Sequence, residues 1–130
     1  MSEQNTILIV EDESSLRDAL RSTLEMQGFA ILTAGDGVSA LEIAFREHPD
    51  LILLDIILPK MDGLTFAKKL REDAWGKTVP VIILTNLSDA SEASDAVDQA
   101  IQHNIFDYLV KSDWQLEDVV ARIKERLRKE

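Results

Sequence analysis

The feature that most constrains the fold of this 130-residue chain is a regular alternation of short apolar runs and longer amphipathic stretches. Each apolar run has the length of one buried strand, and each amphipathic stretch repeats its apolar residues at helical spacing. Strands that are joined through helices run parallel, because a parallel pair needs a long crossover connection. The predicted strands are Thr6–Val10, residues 29–34, Leu51–Asp55, residues 79–84 and Asp107–Val110.

Five helices are predicted, one after each strand. The first stops at Gly28 and has Asp12 or Ser14 available as its N-cap, the second ends before Pro49, and the fourth covers roughly residues 89–103. The residues expected to face the core are Leu16, Ala19, Leu20, Thr23 and Leu24 in the first helix, Ala40, Leu41, Ala44 and Phe45 in the second, Phe66, Ala67 and Leu70 in the third, and Leu116, Val119, Val120, Ile123 and Leu127 in the last.

This order predicts an α/β fold of the doubly wound (βα)5 type, a five-stranded parallel sheet with helices on both faces. No linker or internal repeat divides the chain, so we expect a single domain over residues 1–130, with a core over about residues 6–128 and no output domain within these residues. Whether they form a single-domain regulator or a fragment of a longer protein stays open.

Charge and composition narrow the function. With 14 Lys and Arg against 24 Asp and Glu, the net charge of −10 disfavours direct contact with nucleic acid or anionic membranes. The chain has no cysteine, which leaves no disulfide or thiolate metal site, and it shows neither a signal peptide nor an apolar run of membrane-spanning length. We therefore expect a cytoplasmic protein.

Polar residues follow the predicted strands. Glu11 and Asp12 end the first strand and Asp55 ends the third, so all three carboxylates should meet at one edge of the sheet. Such a cluster is unfavourable unless a cation lies within it, and ligands that are all oxygen favour Mg²⁺, with Mn²⁺ as an alternative. Thr85 and Lys111, which follow the fourth and fifth strands, would complement a phosphoryl group carried on an aspartate.

These pieces together resemble the receiver domain of two-component response regulators. The resemblance rests on Ile7-Leu8-Ile9-Val10-Glu11-Asp12-Glu13, Leu53-Leu54-Asp55 with Pro59-Lys60-Met61-Asp62-Gly63, Ile83-Leu84-Thr85 and Tyr108-Leu109-Val110-Lys111, in this order along the chain. It implies a fold like that of chemotaxis regulators, with the flavodoxin-like strand order 2-1-3-4-5.

The resemblance also implies a role for each site residue. Asp55 would accept a phosphoryl group from a phosphohistidine on a histidine kinase or a histidine phosphotransfer protein. Asp12 would bind Mg²⁺ directly, Glu11 would bind it through water, and the Ile57 backbone carbonyl would be a further ligand. Thr85 and Lys111 would contact phosphoryl oxygens. Thr85 and Tyr108 would together form a switch.

The readout implied by the resemblance is a change in binding to a downstream protein, whose identity the sequence leaves open. The chain would act as a regulatory phospho-acceptor rather than an enzyme with its own substrate. It would be a monomer or a weak homodimer formed through the fourth helix, fifth strand and fifth helix.

Four positions depart from the family pattern. Ser112 replaces the usual proline after Lys111, so we expect a trans peptide bond there or a strained cis one, since a cis bond before a residue other than proline costs about 2.5 to 4 kcal/mol. Asn86 replaces a small residue beside the phosphoryl pocket. Ile57 and Leu87 offer no side chain that could orient water, which predicts a long-lived phosphoryl group on Asp55.

Two other functions stay open at this point. A Mg²⁺-dependent phosphatase with an aspartyl-phosphate intermediate is disfavoured, because enzymes of the haloacid-dehalogenase type need a second acid where this chain has Ile57. A pseudo-receiver that is never phosphorylated is disfavoured by the intact set of acids with Thr85 and Lys111. Glu11 and Asp12 could also simply stabilise the start of the first helix.

Overall fold

Strands alternate with helices along the chain, and the strands form a single parallel sheet in the computed structural model. The structure describes residues 4–55, 60–61, 63–85, 107–110 and 115–128, with the backbone alone at 63–64, 85 and 107–110. The strands are β1 (Thr6–Val10), β2 (Ala30–Ala34), β3 (Leu51–Asp55), β4 (Val81–Thr85) and β5 (Asp107–Val110), and the helices are α1 (Ser14–Met26), α2 (Gly37–Glu47), α3 (Gly63–Glu72) and the Leu116–Arg128 helix. The strand order is β2-β1-β3-β4-β5, and every neighbouring pair is parallel. The predicted α/β fold and strand order are confirmed.

The hydrophobic core lies in two layers, one on each face of the sheet. Because side chains alternate along a strand, β3 sends Ile52 and Leu54 to one face and Leu51 and Leu53 to the other. The first layer packs against α2 and α3, and the second against α1 and the Leu116–Arg128 helix. The helix residues completely or almost completely buried in these layers are Ala40, Ala44, Phe66, Ala67, Leu70, Leu20, Leu24, Val119 and Ile123. This confirms the predicted apolar faces except at Phe45 of α2, which is 37% exposed.

Several boundaries differ slightly from those predicted. β2 begins at Ala30 rather than Phe29, and β4 begins at Val81 rather than residue 79. The carbonyl of Pro80, just before β4, accepts a hydrogen bond from the backbone N–H of Ile52 (3.0 Å). The N-cap of α1 is Glu13, whose side chain makes no capping hydrogen bond, so the expected capping role of Asp12 or Ser14 was wrong. Gly28 does end α1, with a φ of 95° that favours glycine.

The predicted helix over residues 89–103 lies outside the described residues, as does the Lys111–Ser112 peptide bond. Among the described helices, none has both the length and the apolar character required to cross a bilayer.

A close backbone contact holds Met61 against α2. Lys60 has a φ of 68°, and the next residue, Met61, lies against the first turn of α2. A Cβ built on Gly37 would lie 2.3 Å from the Met61 carbonyl oxygen and 2.7 Å from the Met61 Cβ. Only glycine leaves room for this approach, so Met61 packs directly on the backbone at the start of α2.

We predict that Gly37→Ala destabilises the fold by about 1 to 3 kcal/mol, the usual cost of forcing extra atoms into a packed site. The sign is informative, because replacing glycine by alanine at an open helical position would stabilise the helix by about 0.5 to 1 kcal/mol. Unfolding in urea, followed by circular dichroism, measures the difference.

Val38→Ala is the matched control for this test, since Val38 is the next residue in α2 and is 41% exposed. We expect its free energy of unfolding to stay within about 0.5 kcal/mol of the wild-type value. Equal or greater stability of Gly37→Ala would show that the contact with Met61 yields at no cost.

Candidate functional site

The register of the central strands brings the acidic residues together. Val10 of β1 lies opposite Leu54 of β3, so Glu11, immediately after β1, lies at the level of Asp55 at the end of β3. Both strands run in the same direction, so their carboxyl ends lie at the same edge of the sheet. The predicted meeting of the two strand ends is therefore present in the structure.

Three carboxylates converge at this edge. One carboxylate oxygen each from Glu11, Asp12 and Asp55 lies within 4.8 Å of the others. Glu11 is completely buried and Asp55 is 5% exposed, whereas Asp12 is open to solvent. The structure thus brings together all three of the carboxylate ligands predicted from the sequence.

The electrostatic consequence of this geometry is large. Two ionised carboxylates at about 4.8 Å repel each other by about 3 to 4 kcal/mol at an effective dielectric constant of about 20. A divalent cation would convert this repulsion into attraction, and a set of carboxylate oxygens is the donor set that Mg²⁺ and Mn²⁺ prefer. The residues present therefore fit a hard divalent cation.

Glu11 is held by its backbone as well as its side chain. Its N–H donates to the Ala34 carbonyl at the end of β2 (3.0 Å), and its carbonyl accepts from Nη1 of Arg17 (2.9 Å). Its Oε2 accepts from the backbone N–H of Glu13 (3.1 Å). These bonds connect the turn after β1 to both β2 and α1.

The other predicted site residues are placed by the sheet only in part. Leu84 pairs with Asp55, so Thr85 ends β4 one position beyond Asp55 on the neighbouring strand. Tyr108 lies in β5 opposite Ile83, and Val110, the residue before Lys111, lies opposite Thr85. Lys111 and Ile57 lie outside the described residues, as do Asn86, Leu87 and Ser112.

Two interactions near the site were not predicted from the sequence. Asp36 caps α2, where its Oδ1 accepts from the Ser39 N–H (2.8 Å), and its Oδ2 lies 3.9 Å from Nζ of Lys60. The Ser39 N–H is the main reason that the pKa of Asp36 is below its ordinary value. The Asp36-x-x-Ser39 spacing could have revealed this cap. The second interaction, between Arg17 and the Glu11 carbonyl, leaves no signal in the sequence.

We predict that Asp55→Asn stabilises the metal-free protein by about 1 kcal/mol or more, because it removes one charge from the cluster. Added Mg²⁺ should stabilise the wild type, by about 2.7 kcal/mol at 100 times its dissociation constant, and should stabilise Asp55→Asn much less. Thermal unfolding in a chelator and in Mg²⁺ measures both effects.

The control is Asp18→Asn, which removes the same charge from an exposed position on α1. It should respond to Mg²⁺ as the wild type does. Equal Mg²⁺ stabilisation of Asp55→Asn and the wild type would argue that the cation binds elsewhere.

The chain is similar in sequence to regulators of known family. The family model of the response regulator receiver domain matches residues 7–124. The response regulator MprA of Mycobacterium leprae is 37% identical over 123 residues, which are 95% of this chain and 51% of that protein. The DNA-binding dual master transcriptional regulator RpaA of Synechocystis sp. is 35% identical over 123 residues, which are 95% of this chain and 49% of that protein. The chain thus spans about half the length of these curated relatives.

A solved structure agrees with this assignment. The receiver domain of the sensor histidine kinase PA1611 from Pseudomonas aeruginosa, crystallised with a magnesium ion coordinated in its active site cleft, superposes with a TM-score of 0.80 at 27% identity. The alignment covers 98% of this chain and 97% of that one. The carboxylate cluster at the sheet edge and the match over residues 7–124 lead to one conclusion: the chain belongs to the response regulator receiver domain family.

Proposed function

We propose that this receiver domain accepts a phosphoryl group on Asp55 from a phosphohistidine donor and thereby changes its binding to a partner protein. The observation that carries the proposal is the convergence of Glu11, Asp12 and Asp55 within 4.8 Å at the carboxyl edge of the sheet. In a receiver domain, this arrangement supplies both a nucleophile and a cation site. The donor would be a histidine kinase or a histidine phosphotransfer protein.

The chemistry follows from the position of Asp55. A carboxylate oxygen of Asp55 attacks phosphorus, an O–P bond forms, and the P–N bond to the donor imidazole breaks while that imidazole takes up a proton. Asp55 is 5% exposed, so little water competes at the acceptor oxygen. Because β3 is paired with β1 on one side and with β4 on the other, it holds the Asp55 backbone in place during the transfer.

Glu11 and Asp12 would hold Mg²⁺, or Mn²⁺, beside Asp55, with the Ile57 carbonyl as a further ligand. When bound, the cation would neutralise charge on the transferred oxygens. Support comes from the all-oxygen donor set and from the magnesium-containing structure of the receiver domain of PA1611. Buried Glu11 and exposed Asp12 suit different tasks, an orienting ligand and a directly accessible one.

Thr85 and Lys111 would contact the phosphoryl oxygens, and Tyr108 would report the change. The sheet register supports this proposal, because Thr85 lies one position beyond Asp55 on the adjacent strand and Lys111 follows the residue paired with Thr85. Drawing Thr85 toward the phosphoryl group would leave space into which Tyr108 can turn. This would be a two-state element of the kind that signalling switches use.

The proposed role is regulatory, and the chain has no substrate of its own beyond the phosphodonor. RpaA is named as a DNA-binding regulator, yet the net charge of −10 opposes DNA contact by these 130 residues. We therefore propose that residues 1–130 act on protein partners in the cytoplasm. The domain would be a monomer or a weak homodimer through the predicted fourth helix, β5 and the Leu116–Arg128 helix.

The direct test is incubation with Mg²⁺ and acetyl phosphate, followed by intact mass measurement. We expect the wild type and Asp18→Asn to gain the mass of one phosphoryl group and Asp55→Asn to gain none. No gain by the wild type would favour a pseudo-receiver. Release of many phosphate molecules per protein from assorted phosphate esters would instead favour the phosphatase.

A second prediction concerns Lys111. Lys111→Gln should slow phosphorylation of Asp55 by about tenfold or more, because a positive charge at the transferred oxygens would be lost. Its Mg²⁺ affinity should not fall, because no ligand is removed. Phosphorylation rates at saturating Mg²⁺ test this expectation.

Lys124→Gln is the matched control, since Lys124 is exposed on the Leu116–Arg128 helix and its Nζ donates to Oε1 of Gln27 (2.7 Å), away from the site. Its phosphorylation rate should equal that of the wild type. If both lysine variants react at the same rate, Lys111 has no specific role in the transfer.

A further inference from the structure

The turn that carries Glu11 and Asp12 is fastened to α1 by one side chain. Nη1 of Arg17 donates to the Glu11 carbonyl at 2.9 Å, and Arg17 is half-buried. This carbonyl belongs to the peptide group that joins Glu11 to Asp12. Its orientation therefore affects the direction in which both carboxylates leave the backbone.

The same residue is also fixed through the peptide group that precedes it. The Glu11 N–H donates to the Ala34 carbonyl at 3.0 Å, so β2 holds one end of the residue while Arg17 holds the other. Arg17 is itself anchored in the first turn of α1, where its backbone N–H donates to the Glu13 carbonyl at 2.9 Å. The acidic turn is thus held between a strand and a helix.

The turn after β2 leaves room for the guanidinium. A Cβ built on Gly35 would lie 3.2 Å from Nη1 of Arg17, closer than an ordinary contact. The backbone of Gly35 is not in the left-handed region, so its small size, rather than its conformational freedom, is what the position uses. Gly35 and Arg17 therefore form one packed unit behind the acidic turn.

We propose that Arg17 is a positioning residue for the divalent-cation site, holding the Glu11–Asp12 peptide so that both carboxylates face Asp55. The inference rests on the proposed function in one respect only, that the carboxylate cluster binds Mg²⁺. Arg17 touches neither the cation nor the phosphoryl group in this scheme. It acts through the backbone that presents the ligands.

The charge and the geometry of Arg17 have opposite effects on cation binding. Its positive charge alone repels a cation, so simple removal of the charge would strengthen Mg²⁺ binding. Loss of the hydrogen bond frees the turn and weakens Mg²⁺ binding, since removal of a group that orients metal ligands costs about 10- to 100-fold in affinity. The sign of the change therefore separates positioning from electrostatics.

The test is a calorimetric Mg²⁺ titration of the unphosphorylated protein, with thermal unfolding in a chelator to verify folding. We expect Arg17→Met to bind Mg²⁺ about tenfold more weakly than the wild type. Arg17→Lys, which retains a donor and the charge, should recover most of the affinity. Arg21→Met is the control, because Arg21 lies one turn further along α1 with its Nε 3.5 Å from Glu25 Oε2.

A readout of the reaction separates positioning from a general structural role. In phosphorylation by acetyl phosphate, Arg17→Met should need about tenfold more Mg²⁺ for half-maximal rate, with a rate at saturating Mg²⁺ within about twofold of the wild type. If the wild type binds Mg²⁺ but is not phosphorylated, the proposed function fails while the titrations still decide the role of Arg17.

Mg²⁺ binding by Arg17→Met that equals or exceeds that of Arg21→Met would overturn the inference. If Arg17→Met does not fold, Gly35→Ala gives the deciding measurement, because its Cβ presses on Nη1 without removing it. We then expect Mg²⁺ affinity to fall by about twofold or more, and an unchanged affinity would reject the proposal.

Discussion

The constraint on which the rest of this structure depends is the parallel pairing of β1 with β3. It places Glu11 beside Asp55 at the edge where both strands end, and it does so with apolar residues that are completely buried on both faces. Carboxylate oxygens within 4.8 Å of one another oppose folding when no cation is bound. The apolar core supplies the free energy that holds them there, since each buried leucine or isoleucine contributes about 1.5 to 3 kcal/mol.

The core fixes where the strands end, whereas the loops fix where the side chains point. After β1, the acidic turn is bound to α1 through Arg17. At residues 60–61, Met61 contacts Gly37 of α2 and Lys60 approaches Asp36. Both attachments use helices that pack on the sheet through separate apolar faces. The site is therefore bordered by connecting segments that contact different helices, α1 in one case and α2 in the other.

Sequence patterns predicted the strands and the carboxylates for one shared reason. An acid at the end of an apolar run, as at Leu51–Asp55, is visible without any knowledge of tertiary structure, and the parallel order then places it at an edge. The starts of β2 and β4 were predicted too early, at residues 29 and 79. A strand start depends on pairing with the neighbouring strand, such as the hydrogen bond from Ile52 N–H to the Pro80 carbonyl, rather than on local sequence.

Contacts with backbone atoms could not be predicted in this way. Arg17 lies on an amphipathic helix among other exposed or half-buried polar residues, and its acceptor is a carbonyl that every residue possesses. Gly37 likewise resembles an ordinary turn glycine in the sequence, and only the tertiary structure shows its contact with Met61. Lys111, Ile57 and Asn86 lie outside the described residues, so their roles remain predictions from the sequence.

The proposed chemistry changes the charge at the sheet edge in a way that links the cation to the signal. Phosphorylation replaces the single charge of Asp55 with a group that carries about −1.5 to −2, while Glu11 and Asp12 keep their own charges. A cation at this edge is then attracted more strongly, and by thermodynamic reciprocity it favours the phosphorylated form to the same extent. On these proposals, interactions that hold the acidic turn, such as that of Arg17, would stabilise the phosphorylated state through the cation. A change that weakens cation binding would therefore also lower the stability of the phosphorylated form.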